Sequence, residues 1–271
     1  MIERRQPNAM LDLKLFRVPA FGGVSIVAWA LSAGMFAMFL YLTLYVQDVL
    51  DFSPLQAGLR FLPVTLLSFF VAPIAGNMLN RIQARFLLGV GLILVGVGLV
   101  LMHGVAVGDS WTTLLPGFLV AGVGIGMTNP AIASTALGVV PPARAGMASG
   151  INSTFRQIGI ATGVAALGAV FQSRISSELA TTLPQAPSGF SDAVSSGGIH
   201  QAVAAAPPRF QGPALNAANH AFVVGFNEIL LIGAAVAIVG GILGLLMVRQ
   251  RDFVGAPAAA APEAEAEPAA A

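Results

Sequence analysis

The sequence predicts an all-α integral membrane protein whose six transmembrane helices form one bundle. Of its 271 residues, 56% are hydrophobic and only 9% are charged. Soluble domains carry about a quarter charged residues, so this chain lacks the polar surface that water requires, and we expect most of its surface to face lipid. The net charge of +1 provides no basic patch for nucleic acid, which excludes that class of partner.

Six apolar stretches reach the length of about 20 residues that a helix needs to cross a bilayer. Backbone groups in lipid must be satisfied internally, so a spanning segment is either a helix or part of a closed barrel. Barrel strands alternate polar and apolar residues, whereas these stretches are continuously apolar, which favours helices. The predicted spans are Ala20–Val46, Leu55–Ala75, Phe86–Val107, Thr112–Val139, Met147–Phe171 and Ala221–Val248.

Basic residues collect on one side of this arrangement. An even number of spans puts both termini on the same side, and most Lys and Arg residues lie on that side. They are Arg4, Arg5, Lys14, Arg17, Arg81, Arg85, Arg144, Arg249 and Arg251, against Arg60, Arg174 and Arg209 near the opposite loops. The excess of basic residues in cytoplasmic segments therefore predicts cytoplasmic termini and a multi-pass location in the cell (plasma or inner) membrane.

The segments outside the spans differ in composition. The last connection is rich in Ser, Ala, Pro and Gly and is expected to be mostly irregular, with a short helix over Arg174–Thr181 as an alternative for part of it. The end of the chain, from Gly255, alternates Ala, Pro and Glu and is typical of disorder. In order we expect a cytoplasmic N-terminal segment (1–19), helices one to five (20–171), a long external loop (172–220), the sixth helix (221–248) and a cytoplasmic disordered tail (249–271).

Arg156 lies inside the fifth predicted span, where an ionisable group is costly and is therefore a functional candidate. Asn152 and Gln157 share or adjoin its helical face. We interpret the three residues as candidates for a helix–helix interface or a gate. The alternative is a helix that begins late, near Asn152, which would leave Arg156 in the cytoplasmic interface.

Glu228 is the one carboxylate within a predicted span, beside Asn227 near the external end of the sixth helix. Removing a carboxylate from water favours its protonated form, so Glu228 is a proton-carrier candidate. The alternative is a carboxylate that simply reaches the water of the lipid headgroups.

Small residues and one proline indicate how the helices pack. Gly-xxx-Gly pairs allow helix backbones to approach closely in lipid. The Asn129-Pro130 step within the fourth span removes a backbone hydrogen bond and predicts a kink. The glycine pairs are Gly122/Gly126, Gly146/Gly150, Gly159/Gly163 and Gly240/Gly244.

Enzymatic functions find little support in the sequence. The absence of cysteine excludes disulfides, thiol catalysis and Cys-ligated metals. The three histidines, His103, His200 and His220, form no ligand pair at helical spacing, and no nucleophile elbow or phosphate-binding glycine loop is present. We therefore predict a protein that is not an enzyme, with no catalytic residue, no metal site and no cofactor.

Several short motifs resemble those of a known family. They are Gly122-Val-Gly-Ile-Gly-Met-Thr-Asn-Pro130, Val140-Pro-Pro-Ala-Arg-Ala-Gly146, Ala148-Ser-Gly150, Thr154-Phe-Arg-Gln-Ile-Gly159, Asp12-Leu-Lys-Leu-Phe-Arg17 and Ala221-Phe-Val-Val-Gly-Phe226. As a set they look like the fourteen-helix drug:proton antiporter branch of the major facilitator superfamily. The likeness covers the chain except the external loop and the tail, and it corresponds to the C-terminal half of such a transporter.

The resemblance implies two inverted three-helix repeats. The second and fifth spans would face an N-terminal bundle, the third and sixth would be peripheral, and the first and fourth would line the central cavity. Met and aromatic side chains suit adaptable recognition of greasy substrates, and ordinary helix packing is the alternative for each. The candidates for substrate contact are Met35, Phe39, Tyr41, Met127, Thr128 and Asn129.

A loop between the second and third spans looks like a degenerate copy of the superfamily's cytoplasmic loop motif. Its residues are Gly76, Asn80, Arg81 and Arg85. The family motif has an aspartate directly before the first basic residue, and this chain has Asn80 there. A charge relay through the loop is therefore not expected, whereas positive-inside anchoring is retained.

The function implied by the resemblance is proton-driven efflux of amphipathic drugs or similar small molecules. The implied partners are the lipid bilayer, a small amphipathic substrate, and either an N-terminal half or a second copy of the chain. The alternative is a regulator or anchor without transport activity that binds a partner through its external loop.

Overall fold

The computed structural model describes residues 13–254, and within that range every regular element is helical. Residues 1–12, which include Arg4 and Arg5, and the tail from 255 to 271, which is predicted to be disordered, lie outside the described residues. The α-helices are α1 (Pro19–Leu44), α2 (Pro54–Arg60), α3 (Leu62–Met78), α4 (Ala84–Met102), α5 (Leu115–Gly138), α6 (Ala145–Thr182), α7 (Phe190–Ser195), α8 (Ile199–Ala204) and α9 (Pro208–Met247).

Five helical stretches in the described range are long and apolar enough to cross a membrane, and the bent pair α2–α3 makes a sixth. The two members of that pair meet at an angle of 41°. The bend falls at Phe61, directly before a helix whose first turn contains a proline, and proline provides no N–H there for continuing the preceding helix. The six stretches follow the order of the predicted spans, which confirms the all-α membrane fold class.

The third span is shorter than predicted. α4 ends at Met102, not at Val107, and His103 lies beyond its last turn. The next residues include Gly104 and Gly108, with φ of 90° and 94°, a backbone conformation that favours glycine and ends the helix. His103 is exposed and lies outside α4, although the predicted third span, Phe86–Val107, includes it.

The prediction of a mostly irregular connection over 172–220 is wrong. α6 continues to Thr182, α9 begins at Pro208, and α7 and α8 lie between them. The extended ends of α6 and α9 pack together and bury Ile175 and Ala218, a contact that loop-like composition cannot reveal. The prolines at the start of α9 are compatible with its first turn, where the N–H groups have no helical acceptor.

The bundle has two ends that we name for their contents. At the arginine end, α1, α4 and α6 begin and α3, α5 and α9 end; the Ala20 N–H donates to Asp252 Oδ2 at 3.3 Å there. At the α7–α8 end, Asp51 Oδ1 lies 2.7 Å from His200 Nε2, which joins the connection between α1 and α2 to α8.

α4 packs between α5 and α9, and α9 also packs on α1 and α6. These contacts form a dense back layer. On the opposite side, α3 packs mainly on α5 and α6 mainly on α1 and α9, so each has a long free face. α3 buries only Val64 and Ala75.

Glycines set the helix separation in three of the four predicted Gly-xxx-Gly pairs. A Cβ added at Gly122 or Gly126 would lie 2.8 Å from a carbonyl oxygen of α3. The pair Gly159/Gly163 meets the backbone of α1, and Gly240/Gly244 meets its side chains. The fourth pair, Gly146/Gly150, has nothing within 4 Å among the described residues, so it faces open space at the start of α6.

Candidate functional site

The open side of the bundle is bordered by α3, α5, α1 and α6. On α1, Phe36 and Leu40 are 40% and 44% exposed, one helical turn apart, and Met35 and Phe39 beside them are half-buried. The sequence analysis predicted Met35 and Phe39 as substrate contacts but did not include Phe36 and Leu40. α1 is apolar on all sides, so periodicity gives no signal that distinguishes its free face.

Phe39 belongs to an aromatic cluster near the α7–α8 end. Its ring centroid lies 5.6 Å from that of Phe61, and Phe61 lies 5.7 Å from Phe118 of α5. Both contacts are edge-to-face, the favourable geometry for aromatic pairs. The cluster therefore joins α1, α3 and α5 at this end and narrows the space between them.

Tyr41 points away from the open side. It is 5% exposed, and its ring packs on Phe171 of α6 at 4.8 Å between centroids. Phe171 in turn contacts Phe222 of α9 at 4.9 Å. The structure thus places Tyr41 in the packing between α1, α6 and α9, the alternative that the sequence left open.

The three candidates on α5 have different surroundings. Thr128 is fully buried, its hydroxyl donates to the Gly124 carbonyl at 2.7 Å, and it packs against Gly91 of α4. Met127 is half-buried beside the same glycine. Asn129 is half-buried, and its Nδ2 donates to the Ile125 carbonyl at 3.2 Å. Thr128 therefore lies at a helix–helix contact, while Met127 and Asn129 keep part of their surface free.

The triad on α6 lies well inside a helix. α6 begins at Ala145, so the alternative of a helix that starts late, near Asn152, is wrong. Asn152 is 8% exposed, and its Nδ2 has no hydrogen-bond partner among residues 13–254. Arg156 is half-buried and Gln157 is exposed. The structure describes no ion pair for Arg156. Within the described range, the Asn152 amide nitrogen thus has no hydrogen-bond partner and the Arg156 guanidinium has no carboxylate partner.

The free face of α6 continues this polar character. Ser153 and Thr154 are exposed, and the Thr154 hydroxyl donates back to the Gly150 carbonyl at 3.0 Å. Further along, the Trp29 indole N–H donates to Thr162 Oγ1 at 3.0 Å and anchors α1 to the edge of this face. In contrast, the free face of α3 is apolar and exposes Leu66, Phe69 and Phe70.

Glu228 has a charged partner that the sequence reasoning missed. Arg174 Nε lies 2.8 Å from Glu228 Oε2, with both side chains about half exposed. Arg174 lies in the segment predicted as loop, with a short helix over Arg174–Thr181 as the alternative. It is helical, as the extension of α6, and no sequence signal placed it beside α9. A guanidinium at this distance stabilises the negative charge of Glu228. A second pair, Glu178 and His220 at 3.4 Å, joins the same two helices.

The loop-motif residues lie at the arginine end. Gly76 is in α3 and has nothing near its missing side chain; Asn80 and Arg81 are exposed in the turn that follows. Arg85 is in the first turn of α4, with its guanidinium 4.7 Å from the centre of the Phe86 ring. None of the ion pairs in the described range involves this turn.

No group of three or more potential metal ligands occurs in the part of the chain that the structure describes. The arrangement is instead that of a polytopic helical bundle with one closed side and one open, partly polar side. Such a bundle defines the class of polytopic α-helical membrane proteins.

The chain belongs to the Major Facilitator Superfamily, whose family model matches residues 3–164. It is 33% identical over 185 residues to the multidrug resistance protein Stp of Mycobacterium tuberculosis, covering 68% of this chain and 34% of that protein. It is 32% identical over 175 residues to the methylenomycin A resistance protein of Streptomyces coelicolor (63% and 36%). It is 28% identical over 248 residues to the multidrug efflux pump LfrA of Mycolicibacterium smegmatis (88% and 48%). The chain thus spans a third to a half of these relatives.

The fold is also that of solved transporters. A bacterial homolog of the human lysosomal transporter Spinster, in an inward-facing and occupied conformation, superposes with a TM-score of 0.70 at 16% identity. The superposition covers 90% of this chain and 52% of that one. Its inward-facing, unoccupied form gives a TM-score of 0.63 at 18% identity, covering 92% and 52%. The whole described bundle therefore corresponds to about half of a major facilitator transporter.

Proposed function

We propose that this chain forms the C-terminal half of a proton-driven efflux transporter for amphipathic drugs or similar small molecules. The observation that carries the proposal is the free face of α6. Its exposed Ser153 and Gln157 lie in an apolar span, where lipid cannot satisfy polar groups. Beside them, the Nδ2 of the buried Asn152 has no hydrogen-bond partner among the described residues. A second bundle or a water-filled pathway can satisfy them.

The shape of the same face supports a protein neighbour. Gly146 and Gly150 meet no other described residue at the start of α6, although small-xxx-small pairs usually mark close helix contacts in membranes. An N-terminal bundle that packs on α6 and α3 would enclose a cavity against α1 and α5. Phe36, Leu40, Met35 and Asn129 would then border the substrate. Tyr41, Thr128 and Met127, whose Cβ faces Gly91 of α4, would act through packing.

Glu228 is paired with Arg174, and the pair lies at the α7–α8 end, away from the open side. Its proton-carrier role and the gating role of Asn152, Arg156 and Gln157 remain predictions. We expect the proton-coupling carboxylates to reside in the partner bundle.

Dye efflux tests the proposed function. Cells that express this chain alone are compared with cells that also express the N-terminal half of a related full-length efflux pump, with an empty vector as control. We expect energy-dependent efflux of a fluorescent cationic dye only when both halves are present, because alternating access requires two bundles. Efflux by the chain alone, together with a homodimer on size-exclusion chromatography, would instead indicate that two copies assemble.

We also propose that the arginine end, and with it both termini, is cytoplasmic. Within the described range, the basic residues away from that end are Arg60, Arg174 and Arg209, together with Arg156 inside α6. The excess of basic residues at the arginine end is typical of the cytoplasmic side of a membrane protein. The chain contains no cysteine, so single substitutions can be labelled without background. In intact cells, a membrane-impermeant maleimide should label Ser188→Cys and leave Gln250→Cys unlabelled until the cells are opened. The reverse pattern would invert the topology.

A further inference from the structure

A cavity of about 620 Å³ lies at the α7–α8 end. It is bordered by the connection between α6 and α7, by α7 and α8, and by the first turns of α9. Its lining is dominated by apolar and small side chains, among them Leu183, Phe190, Ala202, Phe210 and Pro213. This volume falls within the range of about 300–1,000 Å³ that is usual for small-molecule sites.

None of the lining residues is charged; the polar side chains are those of Thr182, Gln185 and Ser188. The charged residues of α7 and α8 engage other partners. Asp192 Oδ1 of α7 accepts a hydrogen bond from Gln172 Nε2 at 2.8 Å, and His200 of α8 pairs with Asp51. The interior therefore favours an uncharged, apolar group.

The rim of the cavity carries one cation. Arg209 lies between the lining residues Pro207 and Phe210 and is exposed. Its guanidinium lies 4.7 Å from the centre of the Phe210 ring, a cation–π contact that holds the charge beside the opening. The structure describes no carboxylate paired with Arg209, so its hydrogen-bond donors are available to an anion.

We propose that this cavity binds a single-chain anionic amphiphile, such as a long-chain carboxylate. The apolar chain occupies the space between α7, α8 and α9, and the acid group meets Arg209 at the rim. The site is separate from the open side of the bundle, so its occupancy does not depend on the transport function proposed above.

Photolabelling tests this site. The full chain is placed in nanodiscs of zwitterionic lipid and labelled with a diazirine analogue of palmitate, and mass spectrometry locates the adduct. We expect adducts on the segment 182–214 and displacement of the label by palmitate. Hexadecanol should compete several-fold more weakly and hexadecyltrimethylammonium more weakly still, because only the carboxylate matches Arg209.

Matched variants separate the cavity from the bilayer surface. Ala202→Trp fills the cavity and should reduce labelling of 182–214 at least several-fold, whereas Ala204→Trp, at an exposed residue of the same helix outside the lining, should not. Ala205→Trp replaces Ala202→Trp if the latter elutes as an aggregate. Arg209→Gln should weaken labelling, and Arg209→Lys should retain most of it.

Three results would overturn the proposal. If labelling of 182–214 is unchanged in the cavity-filling variants, the probe adsorbs only at the protein–lipid boundary. Equal competition by the ammonium amphiphile would contradict the role of Arg209. Displacement by an anionic phospholipid in the nanodisc, but not by palmitate, would assign the cavity to bilayer lipid.

Discussion

The back layer and the open side of the bundle are built from different contacts. In the back layer, α4 and α9 approach so closely that a Cβ added at Gly241 would lie 2.8 Å from the carbonyl oxygen of Gly89. At the start of α6, a Cβ added at Gly150 would meet nothing within 4 Å among the described residues. Gly241 lies in an apolar run, whereas Ser149 precedes Gly150 and Asn152 and Ser153 follow it. Of the two glycines, only Gly241 packs against another helix of the described range. The difference teaches that the back layer is closely packed within the chain, whereas Gly150 has no such contact with the other described residues.

The largest expected effect comes from filling the back layer. Gly241→Leu would place a side chain against the backbone of Gly89 and Ile93, and we expect a loss of more than about 3 kcal/mol, the upper end for overpacked cores. The measurement is the temperature at which the detergent-solubilised protein loses its monodisperse elution peak.

Gly150→Leu is the matched control on the open side. It should leave that temperature unchanged for the chain alone and should reduce efflux only when the N-terminal half is co-expressed. Equal destabilisation by the two substitutions would show that the start of α6 is also packed within this chain.

The next effect concerns the clamp that holds the end of α4 to α9. Asn227 Oδ1 accepts from the Gly104 N–H at 2.8 Å, and Asn227 Nδ2 donates to the Val105 carbonyl at 2.8 Å. Asn227→Ala removes both bonds, and at about 0.5–1.5 kcal/mol each we expect a loss of roughly 1–3 kcal/mol. Asn216→Ala, at an exposed residue of the same helix, is the control. No difference between the two variants would mean that water replaces the clamp without cost.

A smaller effect is expected at Glu228. Its pair with Arg174 is about half exposed, so Glu228→Gln should cost less than about 1 kcal/mol of stability. Efflux by the assembled transporter should retain its dependence on the proton gradient, because Glu228 lies away from the open side. If Glu228→Gln abolishes the dependence on the proton gradient while the control variant Glu178→Gln retains it, Glu228 would again be the candidate proton carrier.

The smallest effect on stability is expected at Gln157 on the free face of α6. Gln157→Leu removes an exposed amide that has no partner in the described range, so the thermal stability of the chain alone should be unchanged. With the N-terminal half present, we expect reduced efflux, since the polar contact across the interface is lost. Full efflux would indicate that Gln157 faces lipid or water in the assembled protein.

The sequence by itself determined the membrane class and the order of the spans. A chain with 9% charged residues cannot present a soluble surface, and lipid allows only helices for such long apolar stretches, whatever their partners. The motifs around Gly122–Pro130 and Thr154–Gly159 also predicted the family correctly. These properties are local in the chain, so composition and spacing are sufficient to read them.

The tertiary structure decided which faces are used. Tyr41 and Phe36 are both aromatic residues of a mostly apolar helix. Packing against α6 and α9 buries Tyr41, whereas Phe36 stays exposed. The helical extension of α6 depends in the same way on its contact with α9, where Arg174 meets Glu228. Contacts between residues distant in sequence leave no periodic signal in either segment, because lipid-facing and protein-facing positions of such helices are equally apolar.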